Sequence, residues 1–197
     1  MGKIRFQFDV NKFVCALAYL ADNVLELSTL KAAKLLYLAD REHLLKHGRP
    51  ILGDWYSCME YGPVPSKAYD LMKSIRDQDS SVQASGADTV KKYLEVRGRS
   101  PHPVFKKRPN TQVPESLSLT DLDALEETVR QYGSMNVYDL VEITHKHKAW
   151  KNCKENEEHV IPYEDFFEDG HQNSALLEIM RLDQEDRNIV DFLRTGR

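Results

Sequence analysis

The 197-residue sequence has no apolar run approaching the roughly 18–20 residues that a membrane span needs. Its opening residues, MGKIRFQFDV, hold no apolar stretch of secretory-signal length. Cysteine is scarce: Cys15, Cys58 and Cys153 are odd in number, far apart and without a CxxC pair. A disulfide framework is therefore not expected, and the chain reads as a protein of the reducing cytoplasm, away from membranes. A Walker loop, GxGxxG, HExxH and GxSxG are all missing, so no catalytic residue, cofactor or bound metal is expected, and the reading is non-enzymatic. Internal repeats and low-complexity tracts are absent too.

What is present is ordinary in amount and uneven in placement. A hydrophobic share of 41% and a charged share of 29% suit a globular chain able to bury a core without staples. Between Val90 and Arg108 stand seven bases and one acid; between Glu155 and Asp191, twelve acids and two bases. Such asymmetry suggests an electrostatically steered partner, or two regions that face each other. The expected organisation is a domain over 1–153 and an acidic C-terminal extension with a helix over 154–197, packed on the domain or binding a partner.

The richest stretch is Leu30–Leu45, with Ser28 placed to cap a helix and Gly48 and Pro50 placed to end it. On a helical wheel Leu30, Ala33, Tyr37 and Leu44 share a face, Leu36 flanks it, and Leu35, Leu38 and Leu45 widen it on the other side. A helix apolar around most of its girth belongs in the middle of a fold. Asp40 lies on the face that should be buried, so it must be paired or hydrogen-bonded. It either caps a neighbouring turn or meets a core Tyr or Arg, or it is a partner-contacting or catalytic carboxylate.

Taken in order, Asp9 caps a first helix bearing Val10, Phe13, Leu17, Leu20 and Val24. Trp55–Tyr61 reads as a short strand that Gly62-Pro63 stops, with Trp55 and Tyr61 packing on the central helix. Pro65 heads a third helix with Ala68, Leu71, Met72 and Ile75 inward. Asp77–Thr89 reads as a surface loop, and Val90–Arg97 with His102–Lys107 as a basic hairpin. Thr120 caps a fourth helix with Leu122, Leu125, Val129 and Tyr132 inward. Asn136 starts a fifth, with Val137, Leu140 and Val141 inward. Asp165–Asn173 is an acidic break, and Ser174–Leu193 a last helix. The expected class is mainly α with a few short strands (α+β): a compact helical domain around a buried central helix, with small β-hairpins.

Three constellations invite chemistry. His145, His147 and Cys153 suggest a metal, but His-x-His points to different sides of a helix and no carboxylate completes a tetrahedral set. His43 and His47 have chelating i, i+4 spacing; they read instead as residues near the exposed last turn of the helix, where imidazolium suits the dipole. The fourth and fifth helices form a helix–turn–helix-like pair over 120–147, as a DNA-binding autoregulator would need. Its second helix begins Asn136-Val137-Tyr138-Asp139, an acidic start that repels phosphate.

Leu30-Lys31-Ala32-Ala33-Lys34-Leu35-Leu36-Tyr37-Leu38-Ala39-Asp40 resembles the signature helix of the Panacea, or SocA-like, antitoxin domain. The likeness continues in order through Gly48-Arg49-Pro50-Ile51, Trp55 and Tyr61-Gly62-Pro63-Val64-Pro65, then through Thr144-His145 and Ala149-Trp150. Ala33 stands where a Gln is common and Ala149 where a Pro often precedes the Trp. The resemblance covers about Asp9 to Lys151. It implies a bacterial or phage antitoxin, with a role in phage defence, that neutralises a cognate protein toxin by direct binding. A homo-oligomer is a further possibility. Since the signature helix looks occupied by the core, contact is expected on the basic hairpin (Arg97, Arg99, Lys106, Lys107) and on the last helix (Ile189, Val190, Phe192, Leu193), apolar anchors among acids.

The acidic start of the fifth helix predicts negligible affinity of the lone protein for its own promoter DNA at physiological salt, measured by electrophoretic shift or anisotropy. Tight, sequence-specific binding lost on replacing Lys146 and Lys148 would instead establish the autoregulator.

Overall fold

The computed structural model describes residues 4–77, 85–98, 103–167 and 175–184. Helix α1 (Val10–Asn23) is capped by Asp9, whose carboxylate accepts from the amides of Asn11 and Lys12. Helix α2 (Thr29–His47) runs from Ser28, whose hydroxyl accepts from the Lys31 amide, to Gly48, which takes a left-handed φ of 71°. These caps and the central placement agree with the sequence. Leu35, Leu36, Tyr37, Leu38 and Leu44 of α2 are all buried.

The chain then makes a hairpin, β1 (Tyr56–Met59) and β2 (Gly62–Pro65), paired antiparallel from Tyr56 opposite Pro65 to Met59 opposite Gly62. Gly62-Pro63 does not stop the strand, as expected from sequence; it begins the returning one. Gly62 has φ 93°, which opens the reversal. Proline in β2 is tolerated because β2 is an edge strand in the order β2-β1-β5, so its missing N–H breaks no ladder. Trp55 and Tyr61 do not pack on α2: they are 45% and 55% exposed. Side chains alternate across a strand, so the inward aromatic is Tyr56, whose ring meets that of Tyr37 edge-on at 5.2 Å.

Helix α3 (Ser66–Arg76) follows Pro65 with Ala68, Leu71, Met72 and Ile75 buried, as its spacing requires. Part of the expected loop and strand is in fact a helix, α4 (Ala87–Tyr93), started by Gly86 at φ 98°. Ala87 and Val90 are buried while Lys91 and Lys92 are exposed, which is helical rather than alternating spacing. Strands β3 (Leu94–Arg97) and β4 (Val104–Lys107) form the second hairpin, with Leu94 and Phe105 inward.

Helix α5 (Leu119–Tyr132) is capped by Ser118, not Thr120: the Ser118 hydroxyl accepts from the Asp121 amide at 3.2 Å and the Asp121 carboxylate accepts from the Ser118 amide at 3.0 Å. Its inward face is correspondingly turned, burying Asp121, Ala124, Leu125 and Thr128 and leaving Leu122, Val129 and Tyr132 half-buried. Helix α6 (Val137–Lys146) is capped by Asn136 and buries Leu140 and Val141 as expected, while Val137, also expected inward, is half-buried in the first turn; α7 (Lys148–Glu155) follows an extended His147. Beyond it, β5 (Val160–Ile161) adds to β1, and a 3-10 turn (Tyr163–Phe167) puts Tyr163, Phe166 and Phe167 into the same core. Residues 175–184 are helical, with Met180 buried. The whole is a mainly α, α+β fold with α1, α3, α5, α6, β2 and the 3-10 turn packed around α2.

Leu36 is 1% exposed in this packing. Leu36→Asp is expected to cost more than about 4 kcal/mol and unfold the protein, because it leaves an unpaired charge in the core. A Leu36→Asp protein with the parental melting temperature would place α2 at the periphery.

Candidate functional site

Six residues of the ordered motif, Lys34, Gly62, Pro63, Thr144, His145 and Trp150, come together beneath the turn that joins β1 to β2. Lys34 on α2 is fully buried, and its Nζ donates to the Pro63 carbonyl at 2.9 Å. Burial pushes its ammonium down from 10.5 to about 7. Gly62 leaves no room for a side chain against α2 and α6: a Cβ there would stand 2.7 Å from Lys34 Nζ and 2.8 Å from Thr144 Oγ1. Thr144 is buried, and its hydroxyl donates to the Val141 carbonyl at 3.0 Å. His145 stacks on Trp150 with ring centroids 3.9 Å apart and planes at 11°. Trp150 Nε1 in turn donates to the Met59 carbonyl at 3.1 Å, tying α7 to the last residue of β1. Burial, then the nearby Lys34 charge, hold the His145 imidazole below its usual range. Its Nε2 is buried without a hydrogen-bond partner among the described residues.

Asp40 performs the structural task of the two alternatives. Its Oδ1 accepts from the amides of Ile51 at 2.9 Å and Leu52 at 3.1 Å, and its Oδ2 from the Tyr56 hydroxyl at 2.8 Å. Burial pushes its carboxyl up to about 7, against the pull of those hydrogen bonds. Asp54 does the same for α3, accepting from the amides of Lys67 at 3.2 Å and Ala68 at 2.8 Å, and is pushed by burial up to about 6. One layer away, Tyr37 meets His147 Nδ1 through its hydroxyl at 3.0 Å. The side chains of His145, His147 and Cys153 are thus each engaged separately, Cys153 Sγ donating to the Glu158 carbonyl at 3.3 Å.

A second polar network was not legible in the sequence. Buried Asp121 meets Lys12 at 2.7 Å, Arg49 at 2.9 Å and His43 Nε2 at 3.2 Å, joining α1, the end of α2 and α5. Burial raises its carboxyl, but the Lys12 hydrogen bond, the Ser118 amide and the Arg49 and Lys12 charges outweigh that and leave it low. His43 is not near an exposed turn: its ring is fully buried, with Nδ1 on the Arg49 carbonyl at 2.7 Å. His47 alone is exposed. The one signal for Asp121 was the Ser-x-x-Asp spacing of a capping box, hidden by the neighbouring Thr120.

Lys34 and Thr144 are buried and His145 and Trp150 half-buried, but the turn they support is exposed. Met59 and Tyr61, at the turn, are 44% and 55% exposed. On another side, Trp55 and half-exposed Val160 edge an apolar cavity of about 530 Å³ with Phe6, Ile161 and Tyr163. Of the basic side chains expected to meet a partner, Arg97 pairs with Glu95 at 2.6 Å and Lys107 with Asp22, while Lys106 is half-buried on β4. Arg99, Ile189, Val190, Phe192 and Leu193 lie outside the described residues.

Buried Lys34 and Thr144, with half-buried His145 and Trp150, thus hold a Gly-Pro hairpin on a helical domain built around one core helix. The family described as antitoxin SocA-like, Panacea domain, matches residues 33–151, and the chain belongs to that family. Neither curated proteins nor solved structures give a match. Among the described residues, no helix is long and apolar enough to cross a membrane.

The Asp40 environment predicts a pH dependence. The native carboxyl keeps its proton up to about 7 and the unfolded one loses it near 3.8, so stability falls as pH rises through that window. Asp40→Asn keeps an acceptor for the two amides and cannot titrate. Its unfolding free energy, measured in denaturant across that range, should fall less steeply, leaving the Asp54 share that ends near 6. An unchanged slope would mean that Asp40 is ionised in the native state throughout.

Proposed function

We propose that this domain is the antitoxin of a toxin–antitoxin pair and that it neutralises a cognate protein toxin by direct, non-enzymatic binding. The family supports the antitoxin role. The observation that carries the binding reading is the exposed turn Met59-Glu60-Tyr61, braced from below by Pro63 on Lys34 and by Met59 on Trp150. Methionine and tyrosine are residue types that interfaces favour, and a turn fixed from two sides loses little freedom on binding. Lys34 and Trp150 then make sense as a brace, with the toxin reading what the brace presents. The remaining proposed contacts are the basic β3–β4 hairpin and residues 189–193. Against the DNA-binding alternative, the exposed start of α6 offers Tyr138, Asp139 and Glu142 and no base.

Replacing Met59 and Tyr61 together by Glu should weaken toxin binding by at least about 10-fold, that is about 1.4 kcal/mol, and raise the antitoxin dose that rescues cells. The melting temperature should stay close to that of the parent, because both side chains are about half exposed at a surface turn and outside the core. Leu119→Glu, at a side chain 81% exposed and outside the turn, serves as the control. A doubly substituted protein that binds and rescues like the parent would remove the turn from the interface.

A further inference from the structure

Two of the three cysteines meet in the seam between β1, β5 and α7. Cys58 is half-buried on β1, and Cys153 is buried on α7. Their side chains are within hydrogen-bond reach of each other. Cys58 Sγ also donates to the Trp150 carbonyl at 3.7 Å, one helical turn before Cys153, so it reaches the helix face on which Cys153 stands. The seam is held in register independently of the sulfurs: the Cys58 amide donates to the His159 carbonyl at 3.0 Å, and the Glu158 amide to the Cys153 carbonyl at 2.9 Å. Among the described residues, no third His, Cys, Asp or Glu joins the pair in a metal-type group. Two adjacent thiols, one of them reachable from solvent, are poised for oxidation rather than ligation.

We propose that Cys58 and Cys153 form an oxidisable dithiol, a covalent modification site for a peroxide, whose product is an intramolecular disulfide joining β1 to α7. Cys58 is the attacking residue because it is the accessible one. Its sulfur takes the near oxygen of the peroxide, the O–O bond breaks, and the far oxygen leaves as water with the help of the thiol proton. Cys58 is now a sulfenic acid. Cys153 then attacks the Cys58 sulfur, the S–O bond breaks, and the hydroxide leaves as water with the Cys153 proton. Two thiols are oxidised, and one peroxide is reduced to two waters. Burial and the adjacent Cys58 push the Cys153 thiol up to about 12, which keeps it protonated and disfavours it as the first attacker. The new bond would run beside the Trp150–Met59 hydrogen bond and fasten the same two elements. It does not depend on where a toxin docks.

Cys15 provides an internal reference, since its Sγ donates to the Pro114 carbonyl at 2.7 Å and is not part of this seam. The full-length protein, reduced and desalted, is exposed to hydrogen peroxide, alkylated and mapped by mass spectrometry. The expected product has lost two hydrogen atoms, contains one Cys58–Cys153 cross-linked peptide, still alkylates at Cys15 and returns to three free thiols with dithiothreitol. In Cys153→Ser the reaction should halt at Cys58 sulfenic acid, captured by dimedone. Unchanged thiols, a Cys58 sulfinic acid beside a Cys153 that still alkylates, or a dimer linked through Cys58 would each overturn the proposal. Circular dichroism of Cys153→Ser checks that the fold is intact. If that variant is unfolded, cross-linking in the parent decides alone.

Discussion

The structure depends on the burial of α2 around most of its girth, with ionisable residues carried inward, Lys34 and Asp40 foremost. A helix that is apolar all round is stable only if the rest of the chain encloses it, and each polar group it carries inward must find a partner there. The enclosing chain supplies those partners in sequence order. The turn after α2 presents the amides of Ile51 and Leu52 to Asp40, β1 presents the Tyr56 hydroxyl, and β2 presents the Pro63 carbonyl to Lys34. The path of the hairpin is thereby tied to the helix at two points. This explains why the distinctive residues of α2 and of the hairpin come as a set: neither half satisfies its polar groups without the other.

A similar division of labour runs through the other network. Asp121, buried with Lys12, Arg49 and His43 around it, joins α1, α2 and α5 where apolar contact alone would allow the helices to slide. Removing one partner of such a set leaves a buried charge uncompensated, which is costlier than never having had the pair. Two polar anchors on opposite parts of α2 thus specify how the surrounding helices and the hairpin sit. The consequence is a turn, Met59-Glu60-Tyr61, fastened from below by Lys34 on the Pro63 carbonyl and by Trp150 on the Met59 carbonyl.

Much of this was legible before any coordinates. The apolar girth of α2, its Ser28 and Gly48 caps, the Asp9 cap of α1 and the inward faces of α3 and α6 all follow from local spacing and capping chemistry. Where reading failed, the cause was tertiary. Trp55 and Tyr61 looked like core aromatics, but strand alternation turned Tyr56 inward instead. Val90–Tyr93 looked like strand but coiled into α4 behind Gly86. Thr120 looked like the cap, yet Ser118 completes the capping box and Thr120 faces His43, its Oγ1 3.0 Å from Nε2.

The sequence by itself determined the elements, the central helix and the need for Asp40 to be satisfied, because caps, periodicity and the cost of a bare buried carboxylate are local or general. Its ordered motif also placed the chain in its family, which the match over 33–151 established. Only the tertiary structure decided who satisfies whom. That Lys34 reaches Pro63, that Gly62 lies against Lys34 of α2 and Thr144 of α6, that His145 stacks on Trp150 and that Asp121 gathers Lys12, His43 and Arg49 are facts of approach between distant segments. Residues far apart in the chain leave no periodic trace of one another; their pairing emerges only when the core closes and each buried polar atom takes the nearest partner.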